Sequence, residues 1–317
     1  MRIHFIGIGG IGVSALAQYY LKTEEQVSGS DLVSSEITEK LKKQGAKIII
    51  GEHKTKNLAN DIDVVIYSPA VKEDNPELKE AKKLGIKCLS YPEALGELTK
   101  KYFTIAITGT HGKSTTTAMV ALLLIKAGFD PTVIVGTKLK EFGNSNFRMG
   151  KSKYLVIEAC EYEESFLNYW PKIAVITNIE REHLDYYKNL DNILRAFKKF
   201  IEYLPRDGVL VINKEDKNIL RILNSKTQIT NSKQIPKPKL QIPNKSFFSI
   251  KQNEAEKLRK VLKIPGEHNI YNALAALTVA RVLKIPDKVS YQALSEFKGT
   301  WRRFDLSILK IKNYKLK

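Results

Sequence analysis

Cysteine is nearly missing from this chain. Cys88 and Cys160 are the only two in 317 residues, and they lie far apart in the sequence. That excludes a disulfide framework and every zinc motif built on paired cysteines, and it suits a reducing compartment. Long hydrophobic runs are missing too. The longest strongly apolar stretch, Ala118 to Ile125, is far shorter than the roughly 20 residues that cross a bilayer. The first six residues, MRIHFI, lead straight into a glycine loop and carry no signal-peptide core, so we expect a cytoplasmic protein with no membrane partner. Arginine is scarce: only ten of the 52 basic residues, the rest being lysines scattered through the helices. A formal net charge of +18 therefore reads as solvated lysine faces with a general pull on anionic substrates. Guanidinium is the usual reader of bases and phosphates, and no aromatic-plus-arginine module is present, so no nucleic-acid partner is expected.

What is present is glycine in two places that matter. Residues 104 to 117, TIAITGTHGKSTTT, run from an apolar strand pattern into a turn that ends in Gly112-Lys113-Ser114. Glycines at such a turn let several backbone N–H groups and a helix N-terminus converge on one anion. Lys113 adds a point charge, and the Ser114 hydroxyl adds a ligand for the Mg²⁺ that accompanies a nucleoside triphosphate. The usual spacing G-x-x-x-x-G-K-[ST] needs a glycine at position 107, which is Ile107; the first glycine here is Gly109. This is a shortened phosphate loop, with Gly109, Thr110, His111, Gly112, Lys113, Ser114 and Thr115 as its candidate ATP contacts.

The second glycine unit opens the chain. MRIHFIGIGGIG is a strand followed by Gly7, Gly9 and Gly12 in the pattern G-x-G-x-x-G, and an apolar helix continues from Val13 to Tyr20. A second strand pattern ends at Ser30-Asp31, and more follow at Ala46 to Ile50, Val64 to Tyr67 and Lys87 to Leu89, separated by helical stretches. That is a Rossmann-like βαβ domain of residues 1–100.

A helix from Pro92 to Lys101 leads to the boundary. Residues 101–304 read as a P-loop ATP-binding α/β domain with a mainly parallel sheet. Its helix spans Thr115 to Ala127, and its strands are expected at Thr132 to Val135, Tyr154 to Ile157, Ile173 to Thr177 and Gly208 to Ile212. Two of these end on polar clusters, Glu158-Ala-Cys-Glu161 and Asn178-Ile-Glu-Arg-Glu-His183. Residues beyond strand C-termini line the ligand crevice of an open parallel sheet, so both clusters should face the phosphate loop. Asn192 to Tyr203 is an amphipathic helix. Asn224 to Lys251 reads as irregular, and helices follow from Ile270 and from Tyr291.

Taken together, HFIGIGGIGVSALA, SPAVKEDNPEL, TGTHGKSTTTAM, TNIEREHLDYY, GEHNIYNALAAL and GTWRRFD occur in the order found in the Mur ligase family, which this chain resembles over nearly its whole length. These are ATP-dependent amide-forming enzymes of peptidoglycan assembly, and the opening stretch is most similar to the alanine-adding branch. The resemblance implies UDP-N-acetylmuramate and L-alanine as substrates and ATP and Mg²⁺ as cofactors. It implies that the first domain holds the UDP of the sugar, with Gly9, Gly10, Gly12, Asp31 and Ser68 as contacts; a helix cap and a turn are the plain alternatives for Asp31 and Ser68. Lys113 and Ser114 match the residues that grip the ATP phosphates and a first Mg²⁺. Glu158 and His183 match the ligands of a second, His183 being otherwise a hydrogen-bonded loop histidine. Asn269 and Asn272 match adenine-side contacts, or an ordinary cap, and Arg303 matches an arginine near the transferred phosphate.

Three departures stand out. The family's Glu-Ala-Asp-Glu reads Glu158-Ala159-Cys160-Glu161 here, which removes one acid and leaves Glu161 to compensate. A lysine that some branches carbamylate falls on Phe197 or Lys198. The family continues into a further domain for the incoming amino acid, of which residues 305–317 would be the linker stub; a chain of these 317 residues is expected to bind nucleotide but to ligate poorly. Alternatives are a murein-recycling ligase that attaches a peptide to the same sugar nucleotide, a non-catalytic nucleotide-binding relative, and a nicotinamide-dependent oxidoreductase built on Gly7 to Gly12.

Overall fold

The structure, a computed structural model, describes residues 1–59, 61–224 and 244–301. Its chain forms two α/β layers. In the first, strands β1 (Arg2–Ile6), β2 (Gln26–Asp31), β3 (Lys47–Ile50), β4 (Val64–Tyr67) and β5 (Lys87–Ser90) alternate with helices α1 (Ile11–Lys22), α2 (Glu36–Lys43), α3 (Pro76–Lys83) and α4 (Tyr91–Thr99). The sheet is wholly parallel, in the order β3-β2-β1-β4-β5, so its switch point lies at β1, where the glycine loop leaves the sheet. The helices start where their caps say they should. Ser35 and Thr38 form a reciprocal capping box on α2, Ser90 and Glu93 another on α4, and Asn75 caps α3 just ahead of Pro76.

The second layer holds β6 (Phe103–Thr108), α5 (Lys113–Lys126), β7 (Thr132–Leu139), β8 (Ser145–Arg148), β9 (Tyr154–Glu158), β10 (Ile173–Ile176), α6 (Leu184–Tyr187), α7 (Leu190–Glu202), β11 (Val209–Asn213), α8 (Lys217–Asn224), β12 (Asn244–Phe248), α9 (Asn253–Val261), α10 (Glu267–Val282) and α11 (Asp287–Glu296). The strand order is β12-β11-β10-β6-β9-β7-β8, and β7–β8 is its antiparallel pair. β6 lies between β9 and β10, and its alternating side chains serve both faces. Ile105 and Ile107 join the core under α5 and α10, and Ala106 joins the core under α7. The expected irregular segment from Asn224 is partly ordered: β12 pairs with β11 and α9 follows, while residues 225–243 lie outside the described part.

The two layers share a core. Tyr19, Leu95 and Leu98 of the first pack in one apolar cluster with Phe147, Phe166 and Tyr169 of the second. A buried polar seam sets the docking angle: Gln18 Nε2 donates to Asn146 Oδ1 at 3.0 Å and Ser145 Oγ donates to Gln18 Oε1 at 3.0 Å, with Asn146 also reaching Ser14 and the Ile11 carbonyl. Satisfied buried polar groups of this kind fix one orientation, because any slip leaves amides unpaired.

Candidate functional site

The phosphate loop is clamped from one side by the end of β10. Gly109 has φ +131° and Gly112 φ +82°, regions that side chains rarely adopt, and a Cβ on either would overlap Thr177 Oγ1 or Asn272 Oδ1 respectively. Asn178 then holds the turn: the Thr110 N–H donates to its carbonyl at 3.0 Å, the His111 N–H donates to its Oδ1 at 2.9 Å, and its Nδ2 donates to His111 O at 3.0 Å. The Thr177 hydroxyl adds a bond to His111 O at 2.7 Å, and Thr110 Oγ1 accepts from Glu180 N–H at 2.8 Å. The loop is therefore shaped before any ligand arrives, with the positive end of α5 at its mouth.

On the other side stands the end of β9. Lys113 Nζ donates to Gly109 O at 2.7 Å, to Thr110 O at 3.0 Å and to Glu161 Oε1 at 3.0 Å. Glu161 is buried, and its Oε2 has no hydrogen-bond donor. His183 Nε2 lies 3.6 Å from the same Oε1, and the His183 ring packs on Tyr162 with centroids 4.8 Å apart. His183 itself has φ +54°, and Glu163 and Glu164 have φ +51° and +55°, so left-handed non-glycine backbone collects beside the loop. Both polar clusters thus flank the phosphate loop, as the sheet topology requires.

Glu158 Oε2, at the end of β9, accepts from the Gly136 N–H at 2.8 Å, and among the described residues no three His, Cys, Asp or Glu side chains gather as a metal cage. Ser114 is buried at the start of α5. Donors of the right chemistry are still present: hydroxyl, imidazole and two carboxylates, one with an orphaned buried oxygen. A small hard cation that keeps several of its waters needs only a few of these.

His111 points outward, its side chain 62% exposed, 3.7 Å from both Glu180 and Glu182. Thr115 is buried in the first turn of α5. Asn269 and Asn272 are buried on α10 and turned inward: Thr116 Oγ1 donates to Asn272 Oδ1 at 3.1 Å, and Asn269 Nδ2 donates to Pro265 O at 2.6 Å. A depression of about 400 Å³, lined by Arg259, Lys263, Pro265 and Glu267, opens at the start of α10. Phe197 lies in the core against Phe166, so of the two candidates for a modified lysine position it is the apolar, buried one. Arg303 lies outside the described residues.

At the first glycine loop, Asp31 Oδ2 accepts from the Gly9 N–H at 2.7 Å and Oδ1 from the Val33 N–H at 3.3 Å, so the carboxylate braces the loop. Gly10 precedes α1, and Ser68 Oγ accepts from the Ala70 N–H at 3.3 Å beside Gly7. The Tyr91 ring sits against Gly12, close enough to forbid a side chain there. Burial raises the Tyr91 phenol pKa, with the nearby Glu158 and Cys160 adding to it. A pocket of about 220 Å³ opens between the layers, lined by Gln18, Glu36, Lys40, Lys138 and Asn144 among others.

Sequence reading did not find one buried network. Glu77 accepts from Ser30 Oγ at 2.6 Å and from Asn57 Nδ2 at 2.7 Å, and lies 3.1 Å from both His4 Nε2 and His53 Nδ1. Burial alone would raise its pKa, but the hydrogen bonds from His4, Ser30 and Asn57 hold it down at about 2.

Two glycine loops on docked, mainly parallel sheets, the second a shortened phosphate loop flanked by acid and imidazole, define an ATP-using α/β enzyme. The chain belongs to the Mur ligase family: residues 107–280 match the Mur ligase middle domain, which binds ATP, and residues 2–103 match the Mur ligase family catalytic domain. It is 46% identical over 96% of its length to the UDP-N-acetylmuramate–L-alanine ligase of Clostridium botulinum, and spans 68% of that protein. In fold it is similar to the crystal structure of UDP-N-acetylmuramate-alanine ligase MurC from Thermotoga maritima, with a TM-score of 0.80, 30% identity, and coverage of 97% of this chain and 71% of that one. A murein peptide-type ligase from Neisseria meningitides superposes with a TM-score of 0.81 at 24% identity, covering 95% of this chain and 99% of that one, which is a likeness of fold.

Proposed function

We propose that this chain carries the sugar-nucleotide and ATP sites of a cytoplasmic UDP-N-acetylmuramate:L-alanine ligase. The division near residue 100 separates the two sites. In the reaction the lactyl carboxylate of UDP-N-acetylmuramate attacks the γ-phosphate of ATP, ADP leaves, and the amine of L-alanine displaces phosphate from the resulting acyl phosphate. The observation that carries this reading is the shortened phosphate loop itself: Gly109 and Gly112 hold positive φ, and Lys113 Nζ lies 3.0 Å from Glu161 Oε1, which is 3.6 Å from His183 Nε2. A sugar nucleotide seated on Gly9, Gly10 and Gly12 would extend its carboxylate toward the phosphate loop.

The residues divide the work by their chemistry. Lys113 and the N-terminus of α5 hold the β- and γ-phosphates, while Gly109 and Gly112 let the backbone come close. Ser114 would hold one Mg²⁺ and Glu158 with His183 a second, and such cations would neutralise two anions that otherwise repel. Asp31 and Ser68 shape the first loop. Asn272 accepts from Thr116 Oγ1 and so holds the first turn of α5 in place.

An acceptor test separates this reading from the recycling ligase. In the protein at its full natural length, phosphate release from ATP should require UDP-N-acetylmuramate and L-alanine together. A peptide that replaces L-alanine at an equal or greater rate overturns the assignment. The 46% identity to an alanine ligase supports L-alanine as the acceptor.

A further inference from the structure

The Lys113 ammonium has three N–H groups, and the protein itself accepts all three: Gly109 O at 2.7 Å, Thr110 O at 3.0 Å and Glu161 Oε1 at 3.0 Å. A lysine so saturated is not waiting for a phosphate. It has to be drawn away from a buried carboxylate first. Glu161 is 2% exposed and its second oxygen has no donor, so Lys113 is the full positive charge in contact with it. The imidazole of His183 approaches the same Oε1 to 3.6 Å from the opposite cluster.

We propose that Glu161 is a positioning residue that couples the two ligand sites: it restrains Lys113 while both are empty and, once Lys113 turns to a nucleotide phosphate, its uncompensated charge favours a divalent cation beside His183. The inference rests on the ATP reading of the phosphate loop given above. The physics is that of a broken buried ion pair. Removing one partner leaves a charge that cannot reach water, and this costs much more than forming the pair contributes. Nucleotide alone must bear that cost. Nucleotide together with a cation near His183 does not, because the cation restores the lost counter-charge. Coupling of this kind is reciprocal: each ligand tightens the other by the same factor.

The test is calorimetric titration of ATP into this chain, once in EDTA and once in saturating Mg²⁺, for wild type and for Glu161→Gln. Wild type should bind weakly in EDTA and gain strongly with Mg²⁺. Glu161→Gln should bind ATP about tenfold tighter than wild type in EDTA and lose about tenfold from the Mg²⁺ gain. A purely structural role would shift both affinities in one direction, and that result overturns the proposal, as does an unchanged Mg²⁺ gain. If the Gln variant does not fold, Lys113→Met supplies the reciprocal measurement. It leaves Glu161 without its cation, so Mg²⁺ titrated without nucleotide should bind more tightly than to wild type, and equal or weaker binding overturns the proposal. Wild type that binds no ATP under either condition removes the ATP reading itself. Wild type that binds with a Mg²⁺ gain which the Gln variant reproduces removes only the coupling.

Discussion

Asn272 on α10 fills, with its amide oxygen, the space a side chain on Gly112 would need, and takes a hydrogen bond from Thr116 at 3.1 Å in the same position. The start of α5 is thus fixed by a helix 160 residues away in sequence, to about that order. Gly112→Ala would face both a left-handed backbone at φ +82° and this overlap. We expect it to lose roughly 2–5 kcal/mol in urea unfolding, the sum of backbone strain and overpacking, and to lose ATP binding with it.

Acid should unfold the first layer through Glu77. Its pKa falls from 4.5 to about 2 on folding. A carboxyl depressed in this way adds stability above its unfolded value and loses it as pH falls from about 4.5 through about 2. The amount is on the order of 3 kcal/mol. Unfolding free energies of wild type and Glu77→Gln across that window check it: the variant should be less stable near neutrality and show a flatter acid limb. Parallel curves would contradict the assignment.

The polar seam between layers is open to a similar test. Asn146→Ala removes one of the two acceptors of Gln18 Nε2, which keeps the Ser14 carbonyl, and the donor to Ser14 Oγ and Ile11 O, leaving one buried Gln18 N–H unpaired. We expect a loss of roughly 1–3 kcal/mol. The urea transition should also broaden as the two sheets begin to unfold apart, read by intrinsic fluorescence and far-ultraviolet dichroism together.

Much of this fold is legible in the sequence because parallel strands buried on both faces read as short apolar runs. β4 is Val64–Tyr67 and β6 carries Ile105 to Ile107, and both stand out for that reason. Elements without such runs do not. β8 is Ser145–Arg148, one apolar residue in four, and it exists because β7 offers it an edge. α8 and α9 flank a lysine- and glutamine-rich stretch whose composition masks their amphipathic spacing. At the site, the loop and its two flanking clusters follow from strand ends alone, but partner choice does not. Glu158 turns to the Gly136 amide and Glu161 takes Lys113, a division set by backbone direction after β9. Glu77 reads as one more solvated helix residue, until the topology brings His4, Ser30 and His53 onto it.

Lys113 carries the most direct test of the account. Calorimetric titration of ATP with Mg²⁺, and separately of UDP-N-acetylmuramate, into wild type and Lys113→Met measures both proposed sites in one chain. Wild type should bind both, and the variant should lose roughly 10- to 100-fold in ATP affinity, the worth of charge-assisted phosphate contacts, with its sugar-nucleotide affinity intact. A wild-type chain that binds neither ligand, or a variant that binds ATP as well as wild type, would contradict it.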